Sequence, residues 1–316
     1  MVGKRSTAKT KRRKTDIITK EEMNQANRYF EANNLLLSPP IKRAAYSDRT
    51  AWVMASMSQL VYDRFEDNRK AKSLLRQKLK GGGFKMIDEF NSTKTDTQAF
   101  LVSNGDYAIL AFRGTEVTKT KDIQSDAKAV KMSVFEGQVH RGFAEAYKSI
   151  EIQVLKGLKK IGDLPLYITG HSLGAAVATV ATQSLERDPK LRDQIAACYT
   201  FGSPRVGNKE YDRDFKSAIY RVVNTTDIVT VVPLLAMGYI HIGDVRFLEP
   251  SMGDIRRGIP ILRRIFFFLT AVFRLFGPLV GDHGIEKYRK KLEAVAQDRN
   301  IELYYAGGGK GNKRGR

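Results

Sequence analysis

Apolar and polar residues change their spacing several times along this chain of 316 residues, and each change predicts a new element. Short alternating or continuous apolar runs predict strands, whereas apolar residues at three- and four-residue steps predict helices. The predicted strands are 99–103, 107–112, 166–169, 195–201, 219–223 and 240–247. The predicted helices are 23–33, 142–160, 173–185, 212–217 and 285–296, with further helix within 41–80. Strands that alternate with helices favour an α/β fold with a mostly parallel central sheet and helices on both faces.

Two local signals support this division of the chain. Thr19 and Glu22 have the spacing of a capping box at the start of the first helix. Asn104 and Gly105 lie between two apolar runs, and both residues tolerate positive φ, so they predict a hairpin turn. The first turn of helix and the first strand pair are therefore expected at these positions.

Composition divides the chain into one large domain and two basic ends. Hydrophobic residues make up 42% of the sequence, which excludes disorder throughout. We predict a basic, partly disordered tail with a short helix over 1–40, a domain over 41–305 with an apolar and basic insertion at 255–281, and a disordered basic tail over 306–316. The single cysteine, Cys198, excludes a disulfide framework and a multi-cysteine zinc site, and no metal or cofactor is expected.

The net charge of +20 is concentrated in three segments. Residues 1–20 have eight Lys and Arg against one Asp, while 256–280 contains five Arg and 306–316 four Lys and Arg, both without an acid. Such segments are attracted to anionic lipid or to nucleic acid. No recognition motif or interleaved aromatic pattern accompanies them, so nucleic acid is the less favoured partner.

The strongest chemical signal is a G-x-S-x-G pattern formed by Gly170-His171-Ser172-Leu173-Gly174. A predicted strand precedes it and an alanine-rich predicted helix follows it, which is the setting of a nucleophile elbow. Its tight turn strains the serine backbone and requires small neighbours two residues away on either side. The turn is expected to lift the Ser172 hydroxyl above the sheet, with the Leu173 N–H available to a developing oxyanion.

Four motifs resemble those of the class 3 lipases, the fungal-lipase-like α/β-hydrolases, and occur in the family's order. Along the chain they are 111–115 (AFRGT), 139–143 (VHRGF), Gly170–Ala175 (GHSLGA) and 201–207 (FGSPRVG). The resemblance covers roughly residues 45–295. It implies an α/β-hydrolase fold, a Ser-Asp-His serine esterase and, at Thr115, the second oxyanion donor.

In such a fold the acid and then the histidine follow the serine in the chain. Asp227 is the first good acid after Ser172 and follows an apolar strand, with Asp244 and Asp254 as alternatives. Two histidines follow Asp227. His283 lies on a predicted loop before a helix and resembles the family's closing motif, so it is assigned as general base. The alternative, His241, lies in an alternating strand pattern.

The predicted activity is hydrolysis of lipid esters, with acylglycerols, phospholipids and small esters all open as substrates. The alternatives are a hydrolase-fold binding protein without activity and a nucleic-acid-associated protein. Residues 261–280 combine five phenylalanines with a stripe of arginines, which fits an in-plane membrane helix, a cap over the acyl site or a helix of the core. Residues 1–20 show no secretory signal, so the expected location is cytoplasmic, with peripheral membrane contact through 261–280 and the basic tails.

Overall fold

One β-sheet with helices on both faces forms the framework of the described chain. The structure, a computed structural model, describes residues 18–31, 45–63, 68–114, 130–224, 227–231, 237–248, 255–256 and 283–299. The strands are β1 (Lys85–Ser92), β2 (Thr97–Ser103), β3 (Ala108–Phe112), β4 (Lys131–Val134), β5 (Gly137–His140), β6 (Leu166–His171), β7 (Ile195–Phe201), β8 (Ile219–Asn224), β9 (Asp244–Leu248) and β10 (Ile255–Arg256). The helices are α1 (Lys20–Asn27), α2 (Asp48–Leu60), α3 (Arg69–Gly81), α4 (Arg141–Lys148), α5 (Glu151–Leu158), α6 (Leu173–Leu185), α7 (Pro189–Gln194), α8 (Lys209–Arg213) and α9 (Ile285–Arg299), with short 3₁₀ turns at Lys159–Ile161 and Ile228–Val231.

The sheet follows the order of the chain. Its strands are arranged β1-β2-β3-β6-β7-β8-β9-β10, while β4 and β5 form a separate hairpin. The run from β3 to β9 is parallel, and the antiparallel pairs lie at the two edges. The carboxyl ends of β6, β7 and β8 therefore meet at one edge, where loops from different strands can form a site.

Two hydrophobic clusters sandwich this sheet. Alternate residues of each strand enter opposite clusters, as in β3, where Ile109 packs toward α2 and α9 while Leu110 packs toward α4, α5 and α6. Trp52 is fully buried in the first cluster, and its Nε1 donates to Glu293 at 3.1 Å. Helices α2 and α9 are thus fixed to each other as well as to the sheet.

Most predicted elements are confirmed. The Thr19–Glu22 capping box is formed, the hairpin turns at Asn104 and Gly105, and α6 has the predicted bounds. Predicted strand ends differ from the observed ends by a few residues at most, except at 240–247. Of the basic N-terminal segment only residues 18–31 are described. The insertion apart from β10, and the tail over 306–316, lie outside the described residues.

Four predictions were wrong in detail. The helix predicted at 23–33 begins earlier, at Lys20, and already ends at Asn27. The helix over 142–160 is two helices, because the chain turns at Ser149 and Ile150 so that both can pack on the sheet. The helix predicted at 212–217 is shifted to Lys209–Arg213, where Asn208 caps it. The strand predicted at 240–247 begins only at Asp244, while Ile240 forms an isolated bridge with Gly207.

No helix within the described ranges is both long and apolar enough to cross a bilayer.

The junction between β6 and α6 leaves no room for a side chain at Gly174. A Cβ there would lie 2.8 Å from the Gly114 nitrogen and 2.7 Å from the Arg113 carbonyl carbon, and would also press against the Phe112 carbonyl oxygen. These are backbone atoms of the neighbouring strand β3 and its exit. Helix α6 can therefore begin close above the sheet only if this residue is glycine.

We expect Gly174→Ala to lower the free energy of unfolding by about 3 kcal/mol or more, because added atoms in a packed site force the backbone apart. Gly284→Ala is the matched control, since a Cβ at Gly284 meets nothing within 4 Å. Urea unfolding followed by circular dichroism measures both variants. Equal stability of the two variants would contradict the tight junction.

Candidate active site

Ser172 occupies the turn between β6 and α6 in a strained backbone conformation. Its φ of 57° and ψ of −128° lie in a region that residues with a side chain rarely adopt. Its N–H donates to the Phe201 carbonyl at 3.0 Å, and its carbonyl accepts from the Ala175 N–H at 3.0 Å, so both sides of the turn are held. The predicted elbow is therefore present. The hydroxyl is not open to solvent as the elbow alone suggests, since Ser172 is only 1% exposed.

Asp227 follows β8 at the same edge of the sheet, and each oxygen of its carboxylate accepts at least one hydrogen bond. Oδ1 accepts from the Val229 N–H at 2.9 Å. Oδ2 accepts from the Tyr288 hydroxyl at 2.6 Å and contacts a ring nitrogen of His283. Burial and the neighbouring Asp227 carboxylate raise the pKa of Tyr288 well above its usual value, so its hydroxyl stays protonated as a donor.

His283 lies just before α9 and connects the other two groups. Its Nε2 is 2.7 Å from Ser172 Oγ, and its Nδ1 is 2.8 Å from Asp227 Oδ2. A carboxylate can only accept, so Nδ1 carries the proton and Nε2 is free to accept the serine proton. The imidazole is 2% exposed, which keeps water away from both hydrogen bonds.

A glycine at the end of a third strand leaves space for the Asp227 carboxylate and the His283 ring. Gly202, directly after β7, has φ of +57°, and a Cβ there would lie 2.6 Å from Asp227 Oδ2 and 3.1 Å from His283 Nδ1. The motif at 201–207 thus contributes space rather than a reacting group. A side chain at this position would displace the carboxylate from the imidazole.

A second imidazole, that of His171, lies behind the first. Its Nε2 is 2.6 Å from the backbone carbonyl oxygen of His283, and its Nδ1 is 3.0 Å from the Tyr62 hydroxyl at the end of α2. Burial, and secondarily the nearby His283 ring, lower the pKa of His171 well below 6.5, so this ring is neutral.

The alternative residues are held elsewhere. His241 lies beside Arg221 and Arg205 and is hydrogen-bonded to the Thr230 backbone, and burial together with the two arginines lowers its pKa to about 2. Asp244 is on β9, with a largely exposed side chain that pairs with Arg246 at 2.8 Å. Asp254 lies outside the described residues.

Leu173 and Thr115 were predicted as the oxyanion donors. Leu173 is the first residue of α6, directly after Ser172, so its N–H belongs to the unpaired amide groups at a helix start. Thr115 lies outside the described residues, while Gly114 before it is packed against the His171 backbone and the Tyr62 hydroxyl.

Sequence reasoning placed Tyr288 in the family's closing motif with Asp282 and His283 but gave it no role, and it missed Tyr62. Tyr288 lies five residues after His283 at the start of a helix, a distance that returns its side chain to the same loop. The chain offers no comparable signal for Tyr62, which precedes Ser172 by more than a hundred residues.

The chain is similar to a group of known lipases. Residues 109–237 match the family model of class 3 lipases. The chain is 30% identical over 187 residues to a lipase from Rhizopus niveus, an alignment that covers 54% of this chain and 47% of that protein. It is 30% identical over 164 residues to the secreted mono- and diacylglycerol lipase A of Penicillium cyclopium, covering 49% and 53%. The chain thus spans about half the length of these relatives.

A solved structure extends the likeness over more of the chain. The lipase from Rhizopus microsporus var. chinensis superposes with a TM-score of 0.53 at 24% identity, covering 75% of this chain and 78% of that one. At this identity the likeness shows the fold alone, and the predicted α/β-hydrolase fold is confirmed. The resemblance predicted from the sequence is confirmed as well, since residues 109–237 match the family model of class 3 lipases.

Proposed function

We propose that this chain is a serine hydrolase that cleaves carboxylic esters of lipids through an acyl-enzyme, with Ser172 as nucleophile, His283 as general base and Asp227 as the acid that orients it. The observation that carries the proposal is the unbroken hydrogen-bonded series from Ser172 Oγ through His283 to Asp227, at 2.7 and 2.8 Å. Both distances are within reach for proton transfer and for orientation of the base.

The reaction would proceed in two halves. His283 Nε2 takes the Ser172 proton while Oγ attacks the ester carbonyl carbon, and the imidazolium is stabilised by Asp227. The same proton then passes to the departing alkoxide, which leaves as the alcohol. Water attacks the acyl-enzyme, gives its proton to His283 and releases the carboxylic acid, with the proton returning to Ser172.

The negative oxygen of each tetrahedral intermediate needs donors from the protein. We assign one to the Leu173 N–H, which follows the nucleophile and begins α6. The second is proposed at Thr115 from the family resemblance. The site needs no metal or organic cofactor for this chemistry, because an imidazole and backbone donors supply the proton transfers and the charge stabilisation.

The substrate is proposed to be an acylglycerol or a phospholipid. One relative is named a secreted mono- and diacylglycerol lipase, which supports acylglycerols and also contrasts with the cytoplasmic location expected from the sequence. That location stays a prediction. Turnover of purified protein on a panel of mono-, di- and triacylglycerols and phosphatidylcholine, each of matched acyl chain, distinguishes the two classes.

Ser172→Ala is expected to lower kcat for a p-nitrophenyl ester by about 10³-fold or more, because the acyl-enzyme cannot form. Labelling by a fluorophosphonate should disappear as well. Since the change removes one oxygen, the melting temperature should be close to that of the unchanged protein. Retained turnover in a folded Ser172→Ala protein would refute the nucleophile, and an unchanged protein that neither turns over esters nor reacts with the probe would favour a binding protein.

His283→Ala and His241→Ala separate the two candidate bases. We expect His283→Ala to lower kcat by at least about 10³-fold, because it removes the group that accepts the serine proton. His241→Ala should change kcat less than about threefold after correction for the folded fraction, since its ring is hydrogen-bonded to the Thr230 backbone and lies beside two arginines. The reverse order of effects would transfer the role to His241.

We further propose that residues 261–280 and the basic tails bring the protein to anionic membranes. The arginines and phenylalanines of 261–280 and the charge of residues 1–20 and 306–316 support this, at about 1 kcal/mol for each cation near the surface. Sedimentation should show binding to vesicles with 30% phosphatidylserine, about tenfold weaker binding to pure phosphatidylcholine, and weakening when 260–280 is deleted. Equal binding to both vesicles, unaffected by the deletion, would contradict the proposal.

A further inference from the structure

The imidazole ring of His171 lies against the imidazole ring of His283, with the two ring planes tilted to each other. The two ring centroids are 4.5 Å apart with an angle of 35° between the planes. His171 is 3% exposed, so its ring nitrogens find partners within the protein. The proposed reaction uses neither nitrogen, although the ring lies one residue from the nucleophile and directly behind the base.

The partners of His171 determine which nitrogen carries its proton. Nε2 lies 2.6 Å from the backbone carbonyl oxygen of His283, and a carbonyl oxygen only accepts, so Nε2 must donate. In the neutral ring Nδ1 is then an acceptor. The Tyr62 hydroxyl, 3.0 Å away, must donate to it. Each hydrogen bond in the series Tyr62, His171, His283 carbonyl thus has one direction.

This series holds His283 by its backbone carbonyl, in addition to the hydrogen bond that holds its side chain. The Asp227 carboxylate holds Nδ1 of the ring, while the His171 ring holds the carbonyl of the same residue. We propose that His171 and Tyr62 are positioning residues that keep the general base, His283, aligned with Ser172; the proposal rests on the function proposed above. Neither residue contacts the reacting atoms through this series.

Tyr62 has a second contact that links the series to another part of the site. A Cβ at Gly114 would press against the Tyr62 hydroxyl and the His171 carbonyl oxygen, so the three residues are packed together. Tyr62 lies directly after α2, a helix that is buried along most of its length and packed on β6 and α9. Through its hydrogen bond to His171, the Tyr62 hydroxyl therefore fixes the elbow, and with it the loop of His283, relative to α2.

The neutral state of His171 matters for the charge that forms next to it. During turnover His283 becomes an imidazolium, and a second positive ring at 4.5 Å would oppose it. The Tyr62 hydroxyl, as a donor, matches only the form of His171 with a bare Nδ1. The series thus provides orientation without adding a competing charge.

Tyr62→Phe tests the proposal with the loss of one oxygen. We expect kcat for a p-nitrophenyl ester, and the second-order rate of fluorophosphonate labelling, to fall about tenfold with KM within about twofold, because a buried acceptor loses its donor and the base loses alignment. Tyr29→Phe is the matched control. It also removes a tyrosine hydroxyl bonded to α2, at 3.0 Å from the Ser56 carbonyl and 3.1 Å from Gln59, two partners outside the series Tyr62, His171, His283, and should leave kcat unchanged.

A pair of changes at His171 separates positioning from packing. Glutamine can place its amide nitrogen near the position of Nε2 and keep a donor to the His283 carbonyl, whereas leucine fills the space without a donor. We expect His171→Leu to lower kcat about a hundredfold and His171→Gln to lower it only about tenfold, as Tyr62→Phe does. Melting temperatures, measured in parallel, identify any part of the loss that is due to unfolding.

A spectroscopic measurement makes the result independent of activity. Nitrogen-15 NMR of the histidine side chains should show His171 protonated at Nε2 and bare at Nδ1, with the Nδ1 signal shifted in Tyr62→Phe. If the unchanged protein hydrolyses no ester, the proposed function fails while this signal still reports on the series. Loss of kcat in Tyr29→Phe equal to that in Tyr62→Phe, unchanged kcat in both, or a proton on Nδ1 of His171 would each overturn the positioning role.

Discussion

The interaction on which this site depends is a buried carboxylate that accepts three hydrogen bonds. Asp227 is 5% exposed, and an ion taken out of water is costly unless hydrogen bonds replace its hydration. The Val229 N–H, the Tyr288 hydroxyl and the His283 ring provide that replacement. Because the first two donors come from the loop's own backbone and from α9, the carboxylate has a fixed direction before the imidazole is added. The imidazole then has one favourable orientation, and that orientation aims its second nitrogen at Ser172.

The parallel sheet is what brings these groups together from distant parts of the chain. Ser172 follows β6, Gly202 follows β7 and Asp227 follows β8, so their distances are set by neighbouring strands rather than by flexible loops. His283 comes from outside the sheet and lies just before α9. This helix packs on α2, and its buried Tyr288 donates a hydrogen bond to Asp227. The strain at Ser172 is sustained because the surrounding backbone hydrogen bonds and the close contact at Gly174 leave no alternative path for the turn.

Sequence patterns could predict those parts of the molecule that arise from local physics. The run from β6 to α6 was predictable because an apolar strand, a G-x-S-x-G turn and an alanine-rich helix are all local signals. Asp227 was predictable from chain order and from its place after a strand, whereas His283 also needed its loop position and its resemblance to the family's closing motif. The break at Ser149 was not, since the helical spacing continues across it and only packing on the sheet requires two axes. The Tyr62–His171 contact joins residues 109 positions apart, and no periodicity encodes such a pair.

Burial of the Ser172 hydroxyl adds a requirement that the triad geometry alone does not contain. In the proposed reaction an ester carbonyl carbon comes within about 3–3.5 Å of Oγ, so the atoms that cover Ser172, which is 1% exposed, have to move first. Uncovering the site costs free energy, and an acyl chain can offset it at about 0.8 kcal/mol for each CH₂ that leaves water. A lipid ester therefore brings its own driving force for access, whereas a short, polar ester brings little. The burial of Ser172 therefore supports the proposal that the substrate is a lipid ester, whose apolar part is large.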